Sequence, residues 1–259
     1  MSTPSFLAHY DKLLAAHYTW MAGGDYHALT AENRALFERL GITAAPVPGS
    51  RALDLGCGSG FQSAALLGLG YTVIGVDLCG SLVEELRARN QEAERTGRLT
   101  AVIGDLLDAS LCRAQAPLAL VVCMGDTLTH LSSHADVARM IANAAEVLAP
   151  GGRLVLRFRD LTGRISGLER FIPVRADADK IMTCFLEEAG AEHMEVTDLI
   201  YLRNDVPQDS AWRLEKSSYQ KLRISGEAVE TMLAAHALRV SHKEAQRNLL
   251  TIVATKLDS

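Results

Sequence analysis

The chain has no apolar run approaching the roughly eighteen residues that a membrane-spanning helix needs. Its first twenty residues mix Asp11, Lys12 and two histidines with apolar side chains, so no secretory h-region is expected. The five cysteines (Cys57, Cys79, Cys112, Cys123 and Cys184) lack C-x-x-C spacing and sit mostly in apolar contexts. They read as reduced core residues of a cytoplasmic protein, not as metal ligands or a disulfide framework, and no metal is expected. Net positive charge is also lacking: at −5 the balance argues against a nucleic-acid partner. Internal repeats and low-complexity segments are absent. What remains is the composition of a soluble globular protein, 48% hydrophobic and 22% charged over 259 residues. That length suits one large α/β domain or two small ones.

The most informative stretch is Ala52-Leu53-Asp54-Leu55-Gly56-Cys57-Gly58-Ser59-Gly60-Phe61-Gln62-Ser63. It reads as a buried strand, 51–55, entering a turn with glycine at every second position, then a helix. Such a turn lets a ligand approach the backbone across the carboxyl end of a parallel strand. The dinucleotide fingerprint G-x-G-x-x-G would need glycine where Phe61 stands. Asp54, two residues before the first glycine, would repel a pyrophosphate by about 4 kcal/mol at ~4 Å and an effective dielectric near ~20. S-adenosylmethionine carries an ammonium and a sulfonium and no phosphate, so the turn favours it over NAD. A second acid, Asp77, ends the apolar run Tyr71-Thr72-Val73-Ile74-Gly75-Val76, at the offset of a ribose-binding carboxylate. Two adjacent hydroxyls can donate to its two oxygens. The competing role, capping the next helix, is weakened because Ser81-Leu82-Val83-Glu84 reads as a capping box of its own.

With these residues in hand, the sequence resembles the class I S-adenosylmethionine-dependent methyltransferases. Asp54-x-Gly56-x-Gly58-x-Gly60 matches their first motif and Asp77 their second-strand acid. Gly104-Asp105, Val121-Val122-Cys123-Met124-Gly125-Asp126 and Leu148-Ala149-Pro150-Gly151-Gly152-Arg153-Leu154-Val155-Leu156 follow at family-like intervals. Gly125-Asp126-Thr127-Leu128-Thr129-His130-Leu131 and Arg157-Phe158-Arg159-Asp160 resemble the glycine N-methyltransferase-like branch acting on small molecules. Asp126 stands where that branch usually has Asn, which puts glycine in doubt and favours a cationic or amine acceptor.

Helix-spaced residues Phe6, Tyr10, Leu13, Leu14, His17 and Met21 predict a first helix, and 29–40 a second. Gly41 and Pro46-Val47-Pro48-Gly49 then break the chain. Strands are predicted near 51–55, 72–77, 99–103, 118–124 and 153–158, with helices near 60–69, 81–95 and 134–148, the last opened by the capping box Ser133-His134-Ala135-Asp136. Runs 181–187, 193–202 and 212–222 have no helix between them and should pair antiparallel. A helix over 226–237 and strands near 238–242 and 249–256 close the chain. The fold class implied is α/β: a doubly wound, seven-stranded, mostly parallel Rossmann-like sheet with N-terminal helices and an antiparallel β insertion. The expected divisions are 1–50 (helical cap), 51–160 (cofactor-binding core), 161–225 (insertion covering the substrate) and 226–259 (helix and hairpin completing the sheet). The antiparallel strands could instead pair with another subunit in a homodimer.

The resemblance implies a cofactor site of Asp54, Gly56, Cys57, Gly58, Gly60, Asp77 and Leu78, with Asp105 and Leu106 at the adenine. Backbone carbonyls at Cys123 and Met124 would meet the methionyl ammonium. Tyr18 and Trp20, at the end of the first helix, would cap the cofactor, an aromatic face suiting a sulfonium. His130, Asp126 and Tyr18 are the candidates nearest the chemistry, His130 either as a base or as packing. One of Arg157 and Arg159 could bind a substrate carboxylate, or pair with a structural acid. Tyr201, Trp212 and Tyr219 are candidate cavity residues. The function expected is methyl transfer to nitrogen or oxygen of a small molecule. The alternatives are a catalytically silent cofactor-binding module and a nucleic-acid methyltransferase. The run after the fourth strand lacks the Pro-Pro-aromatic sequence that base-directed enzymes use.

Overall fold

A computed structural model describes residues 5–204, 212–246 and 248–257. Its strands are β1 (Arg51–Leu55), β2 (Thr72–Asp77), β3 (Leu99–Ile103), β4 (Leu118–Cys123), β5 (Leu148–Phe158), β6 (Phe171–Ala176), β7 (Lys180–Glu188), β8 (His193–Arg203), β9 (Trp212–Leu222), β10 (Leu238–Gln246) and β11 (Leu249–Lys256). A seven-stranded sheet runs in the order β10-β11-β5-β4-β1-β2-β3, and a four-stranded sheet in the order β6-β7-β8-β9. In the large sheet β1 to β5 are parallel, and β11 runs antiparallel to both β5 and β10. The order reverses between β1 and β4, and such a reversal opens a crevice at the carboxyl ends of the strands.

The central strands are buried on both faces, which is why they read as unbroken apolar runs. Leu53, Leu55, Val121 and Cys123 join one core cluster, with Met140 and Ile141 of the helix His134–Val147. Ala52, Leu120, Val122 and Met124 join the other, with Phe37 of the helix Tyr26–Arg39 and Leu66 of the helix Phe61–Gly68. The capping box at Ser133 is present, its side chain accepting from the amide of Asp136 at 3.1 Å. Among the described residues no helix is long and apolar enough to cross a membrane.

Several elements depart from the pattern expected. The first helix is not continuous: α-helix over Ser5–His9 passes to a π turn at Tyr10–Leu14, a 3₁₀ turn at Ala15–His17, and α-helix again at Tyr18–Ala22. These changes of pitch alter which face each side chain takes. Ser81 does not open the helix after β2; Cys79 is the N-cap, without a side-chain cap bond, and the helix runs Gly80–Arg89. Strand β5 starts at Leu148 and takes in Pro150-Gly151-Gly152, with a shift of register against β4 between Leu118 and Leu120. Strand β6 carries Pro173, which sequence pattern alone argues against in a strand. It is tolerated because β6 is an edge.

Gly60 joins the glycine turn to the helix Phe61–Gly68 with φ +91, and a Cβ there would fall 2.2 Å from Leu86 Cδ1. A side chain would meet both a disfavoured backbone and a filled space. Gly60→Ala should therefore destabilise the fold by about 2 kcal/mol or more, read as a lower urea midpoint. An unchanged midpoint would show that Leu86 gives way freely.

Candidate active site

An open cleft of about 830 Å³, the solvent at its mouth included, lies at the carboxyl ends of β1, β2 and β4. Gly56 and Gly58 form its floor after β1, Asp77 and Leu78 after β2, Asp105 and Leu106 after β3, and Gly125, Thr127 and His130 after β4. Phe6, Tyr10 and Tyr18 close it from the N-terminal segment. Asp77 and Asp105 are its only charged lining side chains among the described residues.

Asp77 holds the turn together. Its Oδ2 accepts the amide of Gly58 at 2.8 Å and its Oδ1 the amide of Cys79 at 2.8 Å. Each oxygen keeps a second lone pair for a ligand. Asp77 is thus both a structural acceptor and a cavity wall. Burial raises its pKa, against the pull of these amides. Gly56 and Cys57 are tied across to β2, their amides donating to the carbonyl of Val76 at 2.8 and 3.1 Å.

Asp54 lies beneath the turn rather than in the cavity. Its Oδ2 accepts the hydroxyl of Ser63 at 2.6 Å, and its Oδ1 is buried without a partner. Burial pushes its carboxyl up to about 7, partly offset by Ser63, and the neighbouring Asp77 adds to the rise. Cys57, Cys123 and Met124 are buried in the core. The carbonyl of Met124 is already taken by Thr127, whose amide and hydroxyl donate at 3.2 and 2.8 Å. Asp105 accepts the amide of Leu107 at 2.8 Å and is exposed at the cavity rim, with Leu106 half-buried beside it.

Tyr18 and Trp20 part company. The ring of Tyr18 stacks on Phe61, centroids 6.0 Å apart and 4° from parallel, above Gly58. Trp20, two residues on and across the helix, faces the small sheet instead. Its Nε1 donates to Asp177 at 2.5 Å and Arg175 and Lys180 flank its ring. The expected cofactor contact of Trp20 is corrected on that ground.

Asp126 is also corrected. It was expected to offer negative charge to an amine, but it is turned out of the cavity. Lys221 of β9 donates to its Oδ2, and the guanidinium and amide of Arg159 donate to its two oxygens at 2.8 Å each. Burial alone would raise its carboxyl, yet Lys221 and Arg159 hold it well below the usual carboxylate range. Arg159 is accordingly the partner of a structural acid, and neither it nor Arg157 lines the cavity.

His130 does line the cavity. Phe6, Tyr10 and Tyr219 surround its ring, at centroid distances of 5.2, 5.7 and 5.4 Å. Burial, and then the charge of Lys221, lower its pKa to about 3, so the imidazole is neutral at physiological pH. Tyr219 is buried between His130 and His9, whereas Tyr201 and Trp212 lie exposed on the outside of the small sheet. Sequence reading placed Phe6 and Tyr10 in a packing stripe and gave Lys221 no role. That helix-spaced stripe was the one signal available for the first two. For Lys221 there was none. No cluster of His, Cys, Asp and Glu suited to a metal occurs among the described residues.

Residues 52–152 match a family model described as a methyltransferase domain. Among curated proteins, a ubiquinone biosynthesis O-methyltransferase of Thiobacillus denitrificans is 32% identical over 139 residues, 53% of this chain and 56% of its own length. The O-methyltransferase cnsE of Penicillium expansum is 27% identical over 63% of this chain and 60% of its own. The chain spans about half the length of the curated relatives it matches. Among solved structures, CalS10, an amino pentose methyltransferase from Micromonospora echinaspora, superposes with a TM-score of 0.70 at 18% identity, covering 99% of this chain and 98% of its own. CcbJ from Streptomyces caelestis gives 0.71 at 18% identity over 88% and 90%. At such identities the likeness is one of fold. The glycine turn at a reversal of strand order, the acid that ends β2 and the matched stretch agree: residues 52–152 are similar to a methyltransferase domain, and the chain shares the fold of the solved methyltransferases.

Proposed function

We propose that the protein transfers a methyl group from S-adenosylmethionine to nitrogen or oxygen of a small molecule. One observation carries the reading: at the carboxyl ends of β1, β2 and β4 the cavity presents carboxylates, open glycine backbone and aromatic rings and, among the described residues, no cationic side chain. Such a site suits a cationic ligand without phosphate.

On this reading Asp77 accepts the ribose hydroxyls while keeping the turn amides, and Leu78, Asp105 and Leu106 hold the adenine. Gly56 and Gly58 allow close approach. Tyr18 offers its ring from above. When bound, S-adenosylmethionine supplies a methyl group already activated on a sulfonium, displaced in line with loss of a neutral thioether. The chain's task is then alignment and exclusion of water, worth roughly 7–11 kcal/mol in favourable cases. Phe6, Tyr10, Leu131 and His130 form the acceptor side. A histidine held near 3 is a weak base at neutral pH but a ready hydrogen-bond acceptor, so His130 orients an N–H or O–H of the acceptor. The absence of a cation from the lining disfavours a carboxylate acceptor. All five cysteines are free thiols, which suits the cytoplasm.

Calorimetry with S-adenosylhomocysteine should give a dissociation constant of about tens of micromolar or tighter. Asp77→Ala should weaken it by about tenfold or more, the loss of charge-assisted hydrogen bonds. No binding by the parent refutes the reading. Binding without any methylated product from a broad amine and phenol set would mark a silent module.

The raised acids also set a pH dependence. Asp54 keeps its proton in the folded state up to about pH 7, where the unfolded chain has already lost it. The stability this supplies is full below the unfolded value and is lost as pH rises through the folded one. The ligand-free melting temperature should therefore fall between about pH 4 and 7. Asp54→Asn should flatten that fall and melt higher than the parent at pH 8, a residual slope remaining from Asp77. Parallel curves for the two proteins would dismiss the assignment.

A further inference from the structure

The turn after β4 is held by an ion cluster drawn from three parts of the chain. Asp126 adopts φ +77, left-handed for a residue with a side chain, directly after Gly125 at φ +66. Its own carbonyl accepts the amide and hydroxyl of Thr129 at 3.2 and 2.8 Å, which starts the 3₁₀ turn Thr127–His130. Its carboxylate accepts from Arg159 at the end of β5 and from Lys221 of β9, in the other sheet. Asp126 and Lys221 are both buried, their side chains 3% and 10% exposed. Lys221 also lies over the ring of Tyr219, its ammonium 5.8 Å from the centroid, and Tyr219 in turn stacks on His130.

We propose that Lys221 is a positioning residue of the active site: through Asp126 it fixes the turn 125–131, and with it the face that His130 presents to the acceptor. The role assigned to His130 rests on the function proposed above; the coupling of Lys221 to His130 does not. A surface lysine would contribute little to such a turn, but a buried ammonium on a buried carboxylate is a strong constraint once formed. Removing Asp126 leaves the buried ammonium of Lys221 uncompensated, and removing Lys221 leaves Asp126 to Arg159 alone, so the tie between the two sheets is lost at this point.

The groups facing His130 are few. The N-terminal segment brings Phe6, Tyr10 and His9, the last paired with Asp198 at 2.9 Å. Strand β9 brings Tyr219 and Lys221, and its own turn brings Asp126. Lys221 and His9 disfavour a charged imidazole, and Asp126 favours one. Neutralising Lys221 therefore raises the proton affinity of His130, both by removing a cation and by releasing Asp126 from its strongest partner.

The test is nuclear magnetic resonance of ring-labelled histidine in the full chain, with S-adenosylhomocysteine affinity measured alongside. Lys221→Met should displace the His130 ring signals and raise its pKa by about one unit, with the affinity for S-adenosylhomocysteine within about twofold. Lys221→Arg should restore the parent spectrum. A His130 titration and ring shifts identical to the parent in Lys221→Met, whatever the loss of thermal stability, would overturn the proposal. If Lys221→Met fails to fold, Asp126→Asn takes its place: the ring signals should again move, and unmoved signals would overturn it. A parent that binds no S-adenosylhomocysteine defeats the proposed function and leaves this coupling still readable from the histidine spectrum.

Discussion

Two carboxylates buried at the ends of neighbouring parallel strands govern the rest of this structure. Asp54 of β1 and Asp77 of β2 are both desolvated, and the charge of Asp77 adds to the cost of ionising Asp54. The chain meets that cost locally. Asp77 gathers the amides of Gly58 and Cys79, so the glycine turn is wound around it. Asp54 is served by Ser63 alone, and one oxygen is left without a partner. A fold selected for stability alone would place an amide or an apolar side chain there.

The other buried acid is treated in the opposite way. Asp126 has two cations on it and remains ionised, its charge closed off from the cavity. Lys221 and Arg159 are consumed in the same cluster, and among the described residues no cation appears on the cavity walls. The resulting cavity is acidic on the side of β2 and β3, and aromatic and neutral beneath the N-terminal segment. On the function proposed, that division of charge separates a side suited to a cationic cofactor from a side suited to a neutral acceptor.

What could be read from the sequence follows from how local each signal is. Strands β1, β2 and β3 fall at their expected residues because strands buried on both faces announce themselves as apolar runs between glycines and acids. Asp77 and the glycine turn were legible for the same reason, since the chemistry and the turn lie within thirty or so residues of chain. The register of the N-terminal segment was not legible. Its π and 3₁₀ turns break the helical period on which any assignment of faces depends, so Tyr18 and Trp20 could not be told apart. Asp126 was misread for a different reason. A carboxylate offers charge only when its neighbours leave it free, and its decisive neighbour lies 95 residues away on another sheet.

The small sheet and the N-terminal segment form a single body around the acceptor side. Leu13 and Leu14 pack with Met182, Ile200 and Leu202, and His9 pairs with Asp198, which also takes the thiol of Cys184. This body meets the cofactor turn at the ring of Tyr18. Tyr18 stacks on Phe61, the first residue of the helix that follows the turn, and a Cβ at Gly58 would fall 3.3 Å from its ring. The glycine at 58 is therefore required by the roof as well as by any ligand beneath it. Because one aromatic side chain fills the space over the turn, the ordering of the cofactor and the shape of the acceptor pocket are the same packing problem. Substitutions on the small sheet can then alter acceptor choice by moving the segment that carries Tyr18, without touching a residue of the cofactor motif.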